Sequence, residues 1–292
     1  MQRNLRVRHA LVTGAIASLV LASSAIAGAA TGKVNPAAAK LVPAAYKGMT
    51  VQVATDATYA PDESMKGATM IGFDVDLINA VAATLGIKVN ENNVTFDNII
   101  AGIKSGKYVI GNSSFTDTKA REKQVNFVDY FTAGEGVYAK TSSKAPFTGF
   151  KSFCGMKVAV ETGTVEETDA QTAAKACPAK KKLSVMSFST QTEANTAVLS
   201  GQAAFGFVDS QIAGYIVSTS SGKFKLVGSA VNVAPYGIAT PKTHAGLQLA
   251  KAINAALKVL IANGTYHSIL AKWGVTSGAI PAGHVVLNGA TS

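Results

Sequence analysis

Two apolar periods alternate along this chain. Short runs rich in Val, Ile and Phe, the spacing of strands, are followed by stretches with apolar residues three and four apart, the spacing of helices. Thr50–Ala54 begins the alternation as a predicted strand. In the stretch 74–85, Val75, Ile78, Ala82 and Leu85 share a helical face and Gly86 supplies the stop, after which Lys88–Val94 reads as extended. Phe96–Ser105 is a second helix closed by Gly106, and Tyr108–Ser113 is a strand. After Tyr138 the pattern changes. The stretch 141–152 is polar with one proline, Lys157–Val160 begins a new strand, and a Gly-Thr turn leads into a helix. Thr190–Ser200 and Gln211–Thr219 are predicted helices around a strand at Ala203–Val208, and Leu247–Asn263 is an amphipathic helix followed by a closing element at Tyr266–Trp273. This order predicts α/β layers with mainly parallel strands. About 260 residues beyond the N-terminal apolar run are enough for one or two cores. The glycine-rich segment after Gly274 reads as loosely held.

The N-terminus carries Arg3, Arg6 and Arg8, then an uncharged apolar run from Ala10 to Ala27 that ends in small residues. A secretory leader over residues 1–29 explains all of these features; a membrane anchor explains the apolar run alone, near the short limit for spanning. No cysteine follows the run, so the chain is expected to be periplasmic or secreted without a lipid anchor. Without the leader, 24 Lys and Arg face 17 Asp and Glu, about +7. The lysines are scattered apart from Lys180–Lys182 and have no interleaved aromatics, so the reading is a charged soluble surface and no nucleic-acid partner. Cys154 and Cys177 are the two cysteines, and an oxidising compartment predicts a disulfide between them, two buried thiols being the other reading. No CxxC, HExxH or Cys/His cluster is present, so neither a metal nor another cofactor is expected. No GxSxG elbow accompanies Ser113 and Ser114, and His244, His267 and His284 stand away from every motif.

The residues with the clearest chemistry lie in Gly111–Phe127, GNSSFTDTKAREKQVNF. Thr116 and Thr118 offer hydroxyls, Asp117 or Thr118 can cap a helix whose N-terminal N–H groups favour an anion, and Arg121 adds a planar fork that holds carboxylate oxygens in pairs. Taken alone, Arg121 reads as a solvated surface residue.

Around that stretch stand VATDATYAP (Val53–Pro61), GFDVDL (Gly72–Leu77), ETGTVEE (Glu161–Glu167) and GQAAFGFVDSQIAGY (Gly201–Tyr215), in this order and spacing. Together they make the chain resemble the amino-acid-binding proteins of bacterial ABC importers, solute-binding protein family 3, over residues 46–274. The resemblance implies a two-lobed periplasmic-binding-protein fold of type II, two α/β domains joined by a two-stranded hinge. Residues 45–135 and 232–275 would form a discontinuous first domain, residues 136–231 the second and residues 276–292 a tail. It implies a monomer that captures a free amino acid in the interdomain cleft and delivers it to a membrane permease. Matched position by position, Arg121 would take the α-carboxylate, with Thr116 and the backbone N–H groups of Thr164 and Val165. Asp209 would take the α-ammonium with the Ser114 carbonyl, while Tyr59 and Phe96 wall the side chain. Each role has a plainer reading beside it. Asp209 suits the N-cap of the helix that follows, the two rings suit a core, Asp56 suits a turn and Glu161 a solvated strand end.

A zwitterion buried in a cleft needs a partner for each charge, because unpaired burial is costly. If Asp56 and Glu161 both face the ligand's tail they favour a cation, which makes a basic amino acid the first choice and leaves glutamine or another polar amino acid open. Asp62 and Val208 depart from any one subtype of the family. The competing reading from the same fold is a secreted cyclohexadienyl dehydratase acting on prephenate or arogenate, with Glu161 as its general acid; a sensory module is a third. No catalytic residue is expected under the leading reading.

Overall fold

The computed structural model describes residues 33–290; the predicted leader lies outside them. The strands are β1 (Thr50–Thr55), β2 (Thr58–Tyr59), β3 (Glu63–Lys66), β4 (Thr69–Ile71), β5 (Lys88–Asn93), β6 (Ile110–Gly111), β7 (Val125–Lys140), β8 (Lys157–Glu161), β9 (Ser184–Phe188), β10 (Phe205–Asp209), β11 (Phe224–Leu226) and β12 (Val231–Pro241). The helices are α1 (Pro36–Lys40), α2 (Phe73–Leu85), α3 (Phe96–Lys104), α4 (Lys119–Glu122), α5 (Val165–Ala176), α6 (Gln191–Ser200), α7 (Ser210–Thr219), α8 (His244–Ala262) and α9 (Thr265–Trp273).

The main sheet has the order β5-β1-β6-β12-β7-β10-β8-β9, with β11 paired to β7. Its two flanks are parallel: β1 with β5 and β6 on one side, β8 with β9 and β10 on the other. The expectation of mainly parallel strands therefore holds within each flank and fails at the centre. There β7, 16 residues long, runs antiparallel to β12 from Val125↔Pro241 to Glu135↔Val231, and its far end pairs antiparallel with β10 and β11. The two long strands cross from one half of the molecule to the other.

Each half has its own core. On the first side α2 and α8 cover the sheet through Leu77, Val81, Leu249, Ile253 and Leu257. On the second, Phe153, Val158, Val160, Phe205 and Phe207 pack beneath α5, and Val198, Val208 and Ile212 pack with α6 and α7. α8 is long and apolar because it is a core helix, with Leu249, Ala252, Ile253, Ala256 and Leu260 fully buried. Cys154 and Cys177 are bonded, closing a loop of 23 residues that restricts the unfolded chain by about 3 kcal/mol in the loop-entropy account.

Two segments differ from the sequence reading. The stretch 58–71 forms a small antiparallel sheet, β2-β3-β4, which two- to four-residue strands do not announce by periodicity. The segment after Gly274 is held down: Val275 and Val285 are buried, Asp129 N–H donates to the Val286 carbonyl and Asn288 N–H to that of Phe127. Glycine content suggested mobility, but three spaced apolar residues, Val275, Ile280 and Val285, anchor the segment to the first core.

Candidate functional site

Where the two halves meet, they close on one small cavity, with about 10 Å³ of space open to water, lined by Asp56, Tyr59, Phe96, Ser113, Ser114, Thr116 and Arg121 from the first half, and by Glu161, Thr164, Val165, Glu166 and Asp209 from the second. All ten residues named from the sequence as ligand-binding stand in this wall; Ser113 and Glu166 are additional. In this closed arrangement there is room for about one water, so a ligand enters only when the two halves part.

Arg121 is buried, 9 % exposed, not solvated. Its Nη1 donates to the Thr116 carbonyl at 2.8 Å and its Nη2 to the Gly163 carbonyl across the cleft at 2.9 Å. The guanidinium carbon lies 5.3 Å from the Phe96 ring centre and 5.4 Å from that of Phe115, so two aromatic faces help replace its lost water. A guanidinium has five N–H donors, and those not used by the two carbonyls remain for an anion. Thr118 caps α4, accepting from Arg121 N–H at 3.2 Å, while the Asp117 carboxylate is buried elsewhere. Because α4 is a single turn of four residues, it has little dipole to offer. The anion-holding capacity rests on the guanidinium, on Thr116, and on the start of α5, whose first N–H groups lack intrahelical partners. Thr164 is the N-cap there, accepting from Glu167 N–H at 3.1 Å.

Asp209 occupies the N-cap position of α7 but makes no capping hydrogen bond. Its Oδ2 accepts from the Tyr59 hydroxyl at 2.7 Å, so Tyr59 bridges the halves and aims the carboxylate into the cavity. Asp56 combines a turn role with a place in the wall: Oδ1 accepts from the Thr58 N–H and hydroxyl, and Oδ2 from Phe96 N–H. Glu161 is 2 % and Glu166 1 % exposed, and in each Oε1 has no hydrogen-bond partner. A buried acceptor without a donor is costly unless something supplies one.

Ser114 has φ +47°, a left-handed conformation uncommon for a side-chain-bearing residue. Buried acids hold it there. Asp74, at the start of α2, accepts from Ser114 N–H at 2.8 Å and from the Tyr130 hydroxyl, and Asp62 accepts from the Ser114 hydroxyl at 2.8 Å. Gly72, with φ +152°, lets the chain pass this close: a Cβ there would lie 2.0 Å from the Asp62 carbonyl oxygen. Asp62 also accepts from Gln211 of the second half at 3.0 Å. Thus the GFDVDL stretch contributes through Gly72 and Asp74, which support the turn, and not through a group that lines the cavity.

The cavity is electrostatically lopsided, with four carboxylates to one guanidinium. Burial is the leading cause of a raised carboxyl pKa at each of Asp56, Glu161, Glu166 and Asp209. Asp56 next raises Glu161 and Asp209 next raises Glu166, while the Tyr59 and Tyr236 hydroxyls and then Arg121 restrain Asp209 at about 6. Outside the cavity, burial first and then Asp169 push Glu135 to about 9, and burial first and then Asp117 push Asp129 to about 8.

These shifts fix a sign. An acid with a folded pKa above its unfolded value binds more protons folded than unfolded, so stability present at low pH is lost as pH climbs through the folded value. The ligand-free protein is expected to melt at progressively lower temperature as pH rises from about 5 to about 9. Scanning calorimetry checks this, and a midpoint that climbs over that range contradicts it.

The two halves, their crossing strands and the shared cavity define a two-lobed solute-binding protein. The profile of the bacterial extracellular solute-binding proteins, family 3, matches residues 51–276, and the chain belongs to that family. An arginine-binding protein of Corynebacterium glutamicum is 31% identical over 214 residues, 72% of this chain and 69% of that one. Among solved structures, an ancestral arginine-binding protein bound to arginine superposes with a TM-score of 0.71 at 32% identity, covering 77% of this chain and 97% of the other. An ancestral amino-acid-binding protein described as a precursor of cyclohexadienyl dehydratase superposes at 0.69 and 32%, covering 77% and 95%.

Proposed function

We propose that this chain is the extracellular capture component of an ABC importer and that its ligand is a cationic amino acid, arginine first. One observation carries the choice of ligand: a closed interlobe cavity walled by four buried carboxylates and one guanidinium, with orphaned oxygens on Glu161 and Glu166. A zwitterion with a neutral tail brings one positive charge to those four acids; a guanidinium or ammonium tail brings a second, together with N–H donors for the orphaned oxygens.

In this reading Arg121, Thr116 and the N–H groups of Thr164 and Val165 hold the α-carboxylate. Asp209 and the Ser114 carbonyl hold the α-ammonium, Tyr59 and Phe96 flank the stem, and Asp56 and Glu161 receive the tail. Because these groups come from both lobes, a ligand that touches all of them favours the closed arrangement by its differential contacts. Delivery to a membrane permease then requires reopening. The relatives that bind arginine support the assignment.

A second reading has two observations in its favour: burial and then Asp56 push the Glu161 carboxyl well above the ordinary carboxylate range, the direction a general acid needs, and one structural relative is described as a precursor of cyclohexadienyl dehydratase. The acid-rich wall opposes it, since prephenate brings two carboxylates to one guanidinium. Thermal-shift measurements with the twenty amino acids, alongside an absorbance assay for prephenate turnover, separate the readings. Arginine at about a hundred times its Kd is expected to add about 2.7 kcal/mol of stability. Steady turnover of prephenate, or no shift with any cationic amino acid, overturns the assignment.

A further inference from the structure

Charge is sorted between the inside and the outside of this molecule. Ten of the 17 Asp and Glu residues are buried: Asp56, Asp62, Glu63, Asp74, Asp117, Asp129, Glu135, Glu161, Glu166 and Asp209. None of the 23 lysines among the described residues is buried. The surface therefore presents 23 ammonium groups against seven carboxylates, a far stronger excess than the net charge of the chain suggests. Among the described residues only two ion pairs form, Lys119 with Glu122 and Lys272 with Asp76.

The excess is sharpest at one end of the second lobe. β8 and β9 run parallel, with Lys157 opposite Ser184 at their beginnings, and both strands run toward the cleft, where β8 ends at Glu161. α5 runs the other way, starting at the cavity with Thr164 and ending beside the starts of β8 and β9, where the Cys154–Cys177 bond holds it at a Cα separation of 5.4 Å. This arrangement gathers Lys151, Lys157, Lys175, Lys180, Lys181 and Lys182, all exposed, on one pole. Segments 146–160 and 170–190 contain no Asp or Glu, and neither ion pair involves the pole. Of its phenylalanines, Phe147, Phe153, Phe205 and Phe207 are buried and Phe150 is half-buried, packed on Phe153 and Phe207.

We propose that this lysine pole is a docking surface for an anionic phospholipid bilayer. Lysine ammonium groups are compact, strongly hydrated point charges, suited to a diffuse array of lipid phosphates and lacking the planar fork that reads nucleic acid. No exposed aromatic accompanies them, as base stacking would require. With no apolar anchor, the contact is electrostatic alone, reversible and sensitive to salt. α5 is 12 residues long, so the pole lies roughly 18 Å from the cavity, and the cleft stays open to solvent while the pole rests on lipid. A binder held loosely at the membrane meets a membrane-embedded partner more often than one free in solution.

The test is co-sedimentation of the leaderless protein with phosphatidylcholine vesicles, with and without phosphatidylglycerol, at low and high salt. Three proteins are compared. They are the wild type, a pole variant (Lys151→Gln, Lys157→Gln, Lys180→Gln, Lys181→Gln, Lys182→Gln) and a charge-matched control on the first lobe (Lys88→Gln, Lys107→Gln, Lys123→Gln, Lys251→Gln, Lys258→Gln). Wild type is expected to sediment with phosphatidylglycerol vesicles only, and to be released by salt. The pole variant is expected to partition about tenfold or more weakly, and the control within about twofold of wild type. Unchanged melting and amino-acid binding in both variants show that the lobes remain intact. No sedimentation of wild type at low salt, equal losses in the two variants, or retention by soluble polyphosphate in place of vesicles overturns the proposal.

Discussion

Replacing Arg121 with alanine is expected to weaken amino-acid binding by roughly a hundredfold or more, because truncating one member of a buried, hydrogen-bonded charge pair costs about 2–5 kcal/mol. Three losses combine. The ligand carboxylate loses a bidentate partner, the Thr116 and Gly163 carbonyls lose their donor, and the cavity loses its one cation. Arg121→Lys separates charge from geometry: a point charge restores attraction but not the paired contact, so its affinity is expected to fall between wild type and alanine. Calorimetric titration measures all three proteins, with circular dichroism to show that each is folded. Near-wild-type affinity in the alanine variant contradicts the clamp.

The second large effect concerns selectivity. Glu161→Gln is expected to lower arginine affinity by about ten- to a hundredfold while leaving glutamine affinity the same or higher, since a buried carboxylate facing a cation contributes most of its energy only to charged ligands. Glu161 is a cleaner probe than Asp56. Asp56 also holds Thr58 and Phe96 N–H in place, so Asp56→Asn disturbs the turn and the α3 start together with the pocket, whereas Glu161 Oε1 has no partner to lose. Competition titrations of arginine against glutamine read the ratio directly. Equal losses for both ligands show that Glu161 shapes the wall without choosing the tail.

Both predictions concern residues that were legible in the sequence. Arg121 and Asp209 are more than eighty residues apart, and each alone has an ordinary explanation as a surface cation or a helix cap. Only their place among ordered motifs made them a pair, and the structure supplies what spacing lacks, the crossing of β7 and β12 that brings one lobe over the other. Asp209 also shows why a cap is a weak reading of an acid before a helix: here the hydroxyl of Tyr59 outcompetes the helix N–H groups for it.

Glu166 was not legible. It stands beside Glu167 at the start of α5, where acids are favoured for their helix position alone, and neighbours on a helix point about a hundred degrees apart. Glu167 turns outward to Gly163 N–H and the Ser187 hydroxyl, while Glu166 turns into the cavity; the pattern of letters does not distinguish them. Asp74 was hidden for another reason. The apolar stripe of Val75, Ile78, Ala82 and Leu85 marks one face of α2, but the helix packs both on the sheet and against its neighbours α8 and α9, so Phe73, Leu77 and Val81 are buried too. An acid on such a helix looks solvated in the sequence and is fully enclosed in the fold. The sorting of lysines outward and acids inward was equally unreadable, because composition reports only the sum.

The clamp itself is tested most directly by titrating the protein with L-arginine, with agmatine, which keeps the tail and ammonium but lacks the carboxylate, and with Nα-acetyl-arginine, which keeps the tail and carboxylate but lacks the ammonium. If Arg121 and Asp209 grip the two poles of a free amino acid from opposite lobes, arginine binds one to one and each truncated ligand binds roughly a hundredfold or more weakly. Agmatine or Nα-acetyl-arginine binding as tightly as arginine contradicts that account.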